Sequence, residues 1–149
     1  MRTLFLEYWL PVIVWLTALY FFSTDTFSGS ETSRIIGPIL RFLLSGSSEA
    51  EIAFWHGVIR KLSHVMGYFI LALLTYRSLR YEKPAAVRAM ILTGCFVLIA
   101  ALTDEYHQSL TATRGASLVD VGYDCLGGVW ALWFLRLYET RRIHPHSIL

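Results

Sequence analysis

The sequence predicts an all-α integral membrane protein, a four-helix bundle with an interfacial or re-entrant segment between its first two spans. Three observations lead there. The 149 residues are 55% hydrophobic and only 16% charged, with a mean hydropathy of +0.50, where a soluble domain carries about 25% charged residues. Four apolar runs are each long enough to cross the ~30 Å hydrocarbon core at ~1.5 Å rise per residue. The polar residues gather near the ends of these runs instead of spreading through them.

The first run, residues 4–22, is interrupted by Glu7, close enough to its start to reach the interface, and by Pro11. A membrane helix tolerates proline where neighbours satisfy the freed carbonyl, and Tyr8 and Trp9 sit where an aromatic belt lies. Arg2 gives a positive start, but the run is about twice a signal-peptide core and no small-x-small site follows, so it reads as an uncleaved span. Polar residues 23–30 end it, and the chain up to about Gly57 reads as too polar to cross. Within that segment residues 35–44 are apolar but short and broken by Gly37-Pro38. They predict a piece lying on or dipping into the bilayer, or else a loop covering its own helix. The remaining spans are read at about 58–79, 85–103 and 118–137, the third helix continuing a turn into the polar residues beyond it. One domain covers residues 1–149.

Composition also excludes function classes. The net charge is +2 and no basic tract interleaves with aromatics, which argues against nucleic acid as a partner. Cys95 and Cys125 lie inside apolar runs without a CxxC pair, so neither a disulfide framework nor a thiolate metal site has support. No HExxH spacing occurs. One-sided polarity without repeat symmetry fits transport poorly.

The chemistry-bearing residues form one constellation. Lys61, His64 and Tyr68 share a helix face that continues through Ala72 and Thr75, a polar-then-small stripe that points into a bundle, not into lipid. Asp104, Glu105 and Gln108 end the third span, Arg114 follows, and Asp120, Asp124, Gly127/Gly128 and Ala131 line one face of the fourth. Antiparallel spans bring these, together with Ser23 at the end of the first, to one level. Ionisable groups at membrane depth are costly, and such a set is a functional-site hypothesis by default. The sequence suggests no comparable cluster at the other end. Basic residues weigh that other end, with Arg77, Arg80, Lys83 and Arg88 in the second loop and Arg136, Arg141 and Arg142 in the tail. The positive-inside rule therefore puts both termini in the cytoplasm and the polar site outside, in a bacterial inner membrane.

These residues carry a resemblance. Phe22-Ser23, Arg60-Lys61-x-x-His64-x-x-x-Tyr68, Asp104-Glu105-x-x-Gln108 with Arg114, and Asp120-x-x-x-Asp124-x-x-Gly127 together resemble the VanZ-like family over nearly the whole chain. Asparagine is more usual in that family where this chain has Asp124. The family is named for a protein linked to resistance to the lipoglycopeptide teicoplanin, so the resemblance implies a role at the bacterial cell envelope and brings no settled reaction.

Three readings of the constellation stand side by side. The cleft binds a membrane lipid or lipid-linked envelope molecule, with Lys61, Tyr68, Gln108, Arg114 and Ser23 as contacts. Alternatively it performs chemistry, with His64, Asp104 and Glu105 as catalytic groups and Asp104, Glu105, Asp120, Asp124 and His64 as ligands for a divalent cation. Lys61 and Arg114 then grip an anion. In the third reading the charges are staples between helices, of modest value because desolvation offsets the Coulomb gain.

Overall fold

The computed structural model describes residues 5–24, 29–82, 84–110 and 117–143. Its described residues form five α-helices and no strand: α1 Leu10–Phe22, α2 Gly29–Leu43, α3 Glu49–Tyr81, α4 Ala86–Ser109 and α5 Leu118–Ile143. A π-helical turn, Phe5–Trp9, leads into α1; Pro11, in the first turn of α1, has no N–H for the turn before it, and the Glu7 carbonyl there accepts from Arg77 at 3.4 Å. Four stretches, Phe5–Phe22, Glu49–Tyr81, Ala86–Ser109 and Leu118–Arg141, are long and apolar enough to cross a membrane.

The second span differs from expectation at its start. The helix begins at Glu49, well before residue 58, because Ser48 and Glu51 form a capping box. The Ser48 hydroxyl accepts the Glu51 N–H and the Glu51 carboxylate accepts the Ser48 N–H. Thirty-three residues at ~1.5 Å rise make a rod of about 50 Å, roughly 20 Å longer than the hydrocarbon core. The turns before residue 58, which carry Glu49, Glu51 and His56 beside exposed Phe54 and Trp55, overhang the span expected from the sequence.

Residues 35–44 are likewise more regular than expected. Gly37-Pro38 does not break the segment: Pro38 lies inside α2, on its exposed side, where the carbonyl it leaves without a donor can be met from outside. Fifteen residues span only about 22 Å, too short to cross. A turn at Gly46, whose φ of 97° favours glycine, reverses the chain into α3. Arg41 grips the Glu49 carboxylate with two bonds of 2.9 and 2.8 Å, and Thr32 Oγ1 lies 3.1 Å from His56 Nε2. Together they lay α2 against the overhanging part of α3.

The core is small and made where helices cross. Val12, Tyr68, Leu71, Ala72, Val97, Ala101, Val121 and Ala131 form it, while Phe5, Ile13, Ile91, Ile99, Val129 and Trp133 are among the large apolar side chains facing outward. That inside-out surface is what a lipid solvent permits. α3 and α5 approach closely: a Cβ on Gly127 would lie 2.1 Å from the carbonyl oxygen of Val65, the shortest such distance among the described glycines. α1 is held to α3 by Trp15, whose indole N–H donates to the Gly67 carbonyl at 2.8 Å.

The end of the bundle opposite the constellation is more polar than the sequence suggests. The Tyr76 hydroxyl and Arg80 both donate to Glu139, at 2.8 and 3.3 Å, and Ser78 donates to the Tyr8 carbonyl at 2.6 Å. These contacts clasp α3 to α5 and to the turn before α1. Tyr76 and Glu139 are 63 residues apart and Ser78 and Tyr8 70, inside or at the ends of apolar runs, so spacing alone does not pair them.

Candidate functional site

The helical period decides which predicted residues meet. On α4, Asp104 and Gln108 are one turn apart and stack, the Gln108 amide donating to Asp104 Oδ2 at 3.0 Å. Both are buried, at 9% and 2% exposure. On α3, His64 points at α5, where its Nδ1 lies 3.0 Å from Asp124 Oδ1. Asp124 is 1% exposed in its side chain and His64 22%. One ligand atom each from His64, Asp104 and Asp124 lie within 4.8 Å of one another. Residues from three spans thus converge on one point, as antiparallel packing requires.

Glu105 belongs to a different contact. One residue on from Asp104, it is turned about 100° round the helix. Its Oε1 accepts the backbone N–H of Ser117, immediately before α5, while its Oε2 is buried without a hydrogen bond to a described residue. The carboxylate joins the end of α4 to the start of α5, where the helix dipole favours negative charge. Asp120, in the first turn of α5, also stands apart from the His64–Asp104–Asp124 group. It borders an outer cleft with His56, Arg60, Lys61, His64 and Tyr123. Lys61 is exposed, its ammonium 5.1 Å from the centre of the Tyr123 ring, a cation–π contact. Arg114 lies outside the described residues.

Two cavities flank the convergent group. The first, about 300 Å³, is lined by apolar Leu19, Phe22, Ile36 and Ile59, by Ser23, His64, Tyr68 and Asp104 on its buried side, and by Thr32, Arg60 and Ser63. The second, about 360 Å³, lies between α1 and α4. Leu16, Thr17, Tyr20, Phe96 and Ile99 line it, and it shares Leu19, Tyr68 and Asp104 with the first. Ser23 is 2% exposed and its hydroxyl has no hydrogen-bond partner among the described residues. Tyr68 is also 2% exposed.

A family model described as VanZ/LLP1 matches residues 8–139. The chain belongs to the VanZ/LLP1 family. No curated protein matches it and no solved structure does, so the roles of individual residues rest on the geometry alone. In this VanZ/LLP1 protein sequence spacing did not reveal the His64–Asp124 pair, Arg60 on the cavity lining, or α2 over its mouth. The i, i+4 step from Asp120 to Asp124 was legible. Which of the two carboxylates meets α3 depends on the depth of helix crossing, which Gly127 sets.

Proposed function

We propose that this membrane protein binds an amphiphile of the cell envelope in the cavity beneath α2, with the polar end of the bundle facing outward and both termini in the cytoplasm. One observation carries the reading: the 300 Å³ cavity has apolar walls and a polar floor holding Ser23, His64, Tyr68 and Asp104. That combination, mostly hydrophobic lining with a few convergent polar groups, is what a small-molecule site needs. α2, too short to span and apolar on an exposed face through Ile35, Ile39, Phe42 and Leu43, lies in the interface over the mouth. A lipid-linked wall precursor and a lipoglycopeptide such as teicoplanin both have the required chemistry, a polar head on an apolar tail. The test is thermal stabilisation of purified protein by each amphiphile, repeated on Ser63→Trp, which fills the cavity from the exposed side of α3. Stabilisation of the wild type that Ser63→Trp abolishes supports the reading; stabilisation that is absent, or indifferent to the filled cavity, removes it.

A second reading, metal-assisted hydrolysis or transfer on a lipid-linked substrate, is favoured by the convergence of His64, Asp104 and Asp124. One imidazole and two carboxylates suit zinc or manganese, and a cation there would sit at the cavity floor. Metal content of the purified protein, with Asp104→Ala as the control, decides it: protein free of metal and not stabilised by added metal eliminates this version.

A further inference from the structure

The two cavities differ in a way that specifies the ligand. The first is about 300 Å³, at the lower end of the range for small-molecule pockets. It has room for a head group and little else. The second is bounded mainly by apolar residues of α1 and α4, and Thr17, Ile99 and Thr103 on its lining are exposed on the outside of the bundle. It is a lateral groove facing the lipid. The two share Leu19, Tyr68 and Asp104, so these three side chains stand where the two spaces meet, and a ligand with its head in one and a chain in the other would have to pass them.

Charge then selects the head group. Asp124 is paired with His64. Asp104, at 9% exposure, has the neutral Gln108 amide on one oxygen and forms no ion pair with a described residue; the nearby His64, a ring nitrogen of which lies within 4.8 Å, is held by Asp124 instead. A carboxylate at this depth without a cation is costly. Arg60, on the lining of the same cavity, likewise forms no ion pair with a described residue. An anion and a cation on the lining of one cavity, neither in an ion pair with a described residue, complement a zwitterion. The unpartnered Ser23 hydroxyl, 2% exposed on the same lining, supplies a further polar contact that no described residue takes up.

We propose that the ligand is an aminophospholipid, its ammonium on Asp104, its phosphate on Arg60 and one acyl chain in the groove between α1 and α4. This rests on the amphiphile-binding reading and names the class of amphiphile. Guanidinium suits the phosphate because its fork matches two oxygens, and a primary ammonium brings three donors for Asp104 and Ser23.

The experiment measures lipid retention by the purified full-length protein, by native mass spectrometry, with lipids of identical chains. Phosphatidylethanolamine is expected to bind at least about tenfold more tightly than phosphatidylglycerol or than phosphatidylethanolamine with an acetylated amine, one charge-assisted hydrogen bond being enough for that ratio. Asp104→Asn keeps the shape and the Gln108 bond, and is expected to abolish the preference without weakening phosphatidylglycerol. Arg60→Gln is expected to weaken both lipids, as is Thr17→Trp, which fills the groove from its exposed side.

The acetylated lipid tests the idea on the wild type and so does not depend on any variant folding. Equal retention of the three lipids, still lowered by Arg60→Gln and Thr17→Trp, overturns the amine while leaving amphiphile binding in place. Retention without head-group preference that a chelator abolishes puts a divalent cation on Asp104 and also overturns it. Retention that none of the variants alters overturns both the inference and the reading beneath it.

Discussion

His64 on α3 and Asp124 on α5 lie 3.0 Å apart, nitrogen to oxygen, beside the close approach of the two helices at Gly127. The pair sits one turn from Gly127, which lets the Val65 carbonyl come close enough that no side chain fits between. Close backbone approach and buried polar pair are thus one feature. The glycine fixes the depth at which α5 crosses α3, and that depth places Asp124 opposite His64.

Removing the acceptor tests the pair directly. Asp124→Leu leaves the His64 ring nitrogen facing an apolar neighbour, and an unsatisfied buried polar group costs about 1–3 kcal/mol. Asp124→Asn keeps an acceptor oxygen and is expected to lose less than half as much. Thermal melting in detergent checks the order: wild type, then Asn, then Leu.

Gly127→Ala puts a methyl 2.1 Å from the Val65 oxygen and 3.0 Å from the Phe69 nitrogen. Both are backbone atoms, so the helices must move apart, at a cost of about 1–3 kcal/mol or more. Gly122→Ala, on the same helix with nothing within 4 Å, is expected to be neutral or to gain up to about 1 kcal/mol from helix propensity. A lower melting temperature for the first substitution and not the second confirms the close approach; equal effects refute it.

The spans were legible because hydrocarbon leaves a coarse imprint: long apolar runs, aromatics at their ends, and few charges between. The tilt and depth of each helix leave none. Glu105 and Asp104 are neighbours in sequence and alike in chemistry, and only the helix turn separates one contact from the other. Asp120 and Asp124 posed the same problem on α5. The start of α3 differs for another reason: its first turns mix Glu49, Glu51 and His56 with Ile52, Phe54 and Trp55, and the signal that begins the helix is Ser48 with Glu51 rather than hydropathy.

That capping box gives its own prediction. Ser48→Ala removes the acceptor for the Glu51 N–H and is expected to cost about 1 kcal/mol. The loss is local, since the overhanging turns pack chiefly on α2. Amide exchange should rise over residues 49–55 while the part of α3 around Leu71, which is fully buried, keeps its protection. Uniform loosening of the whole helix would show that the overhang and the span unfold as one unit.

Glu105 separates scaffold from site. Its carboxylate receives the Ser117 N–H and lies outside the His64–Asp104–Asp124 group. Glu105→Ala abandons that donor at the start of α5 and takes a negative charge from the favourable end of the helix dipole, together about 1–3 kcal/mol. Glu105→Gln keeps the acceptor and loses only the charge, so it is expected to retain most of the stability. Neither substitution touches the lining of either cavity, so amphiphile binding, measured at a temperature where both variants stay folded, is expected to match the wild type. A folded Glu105→Gln protein that no longer binds its amphiphile would move this carboxylate from the joint between helices into the site itself.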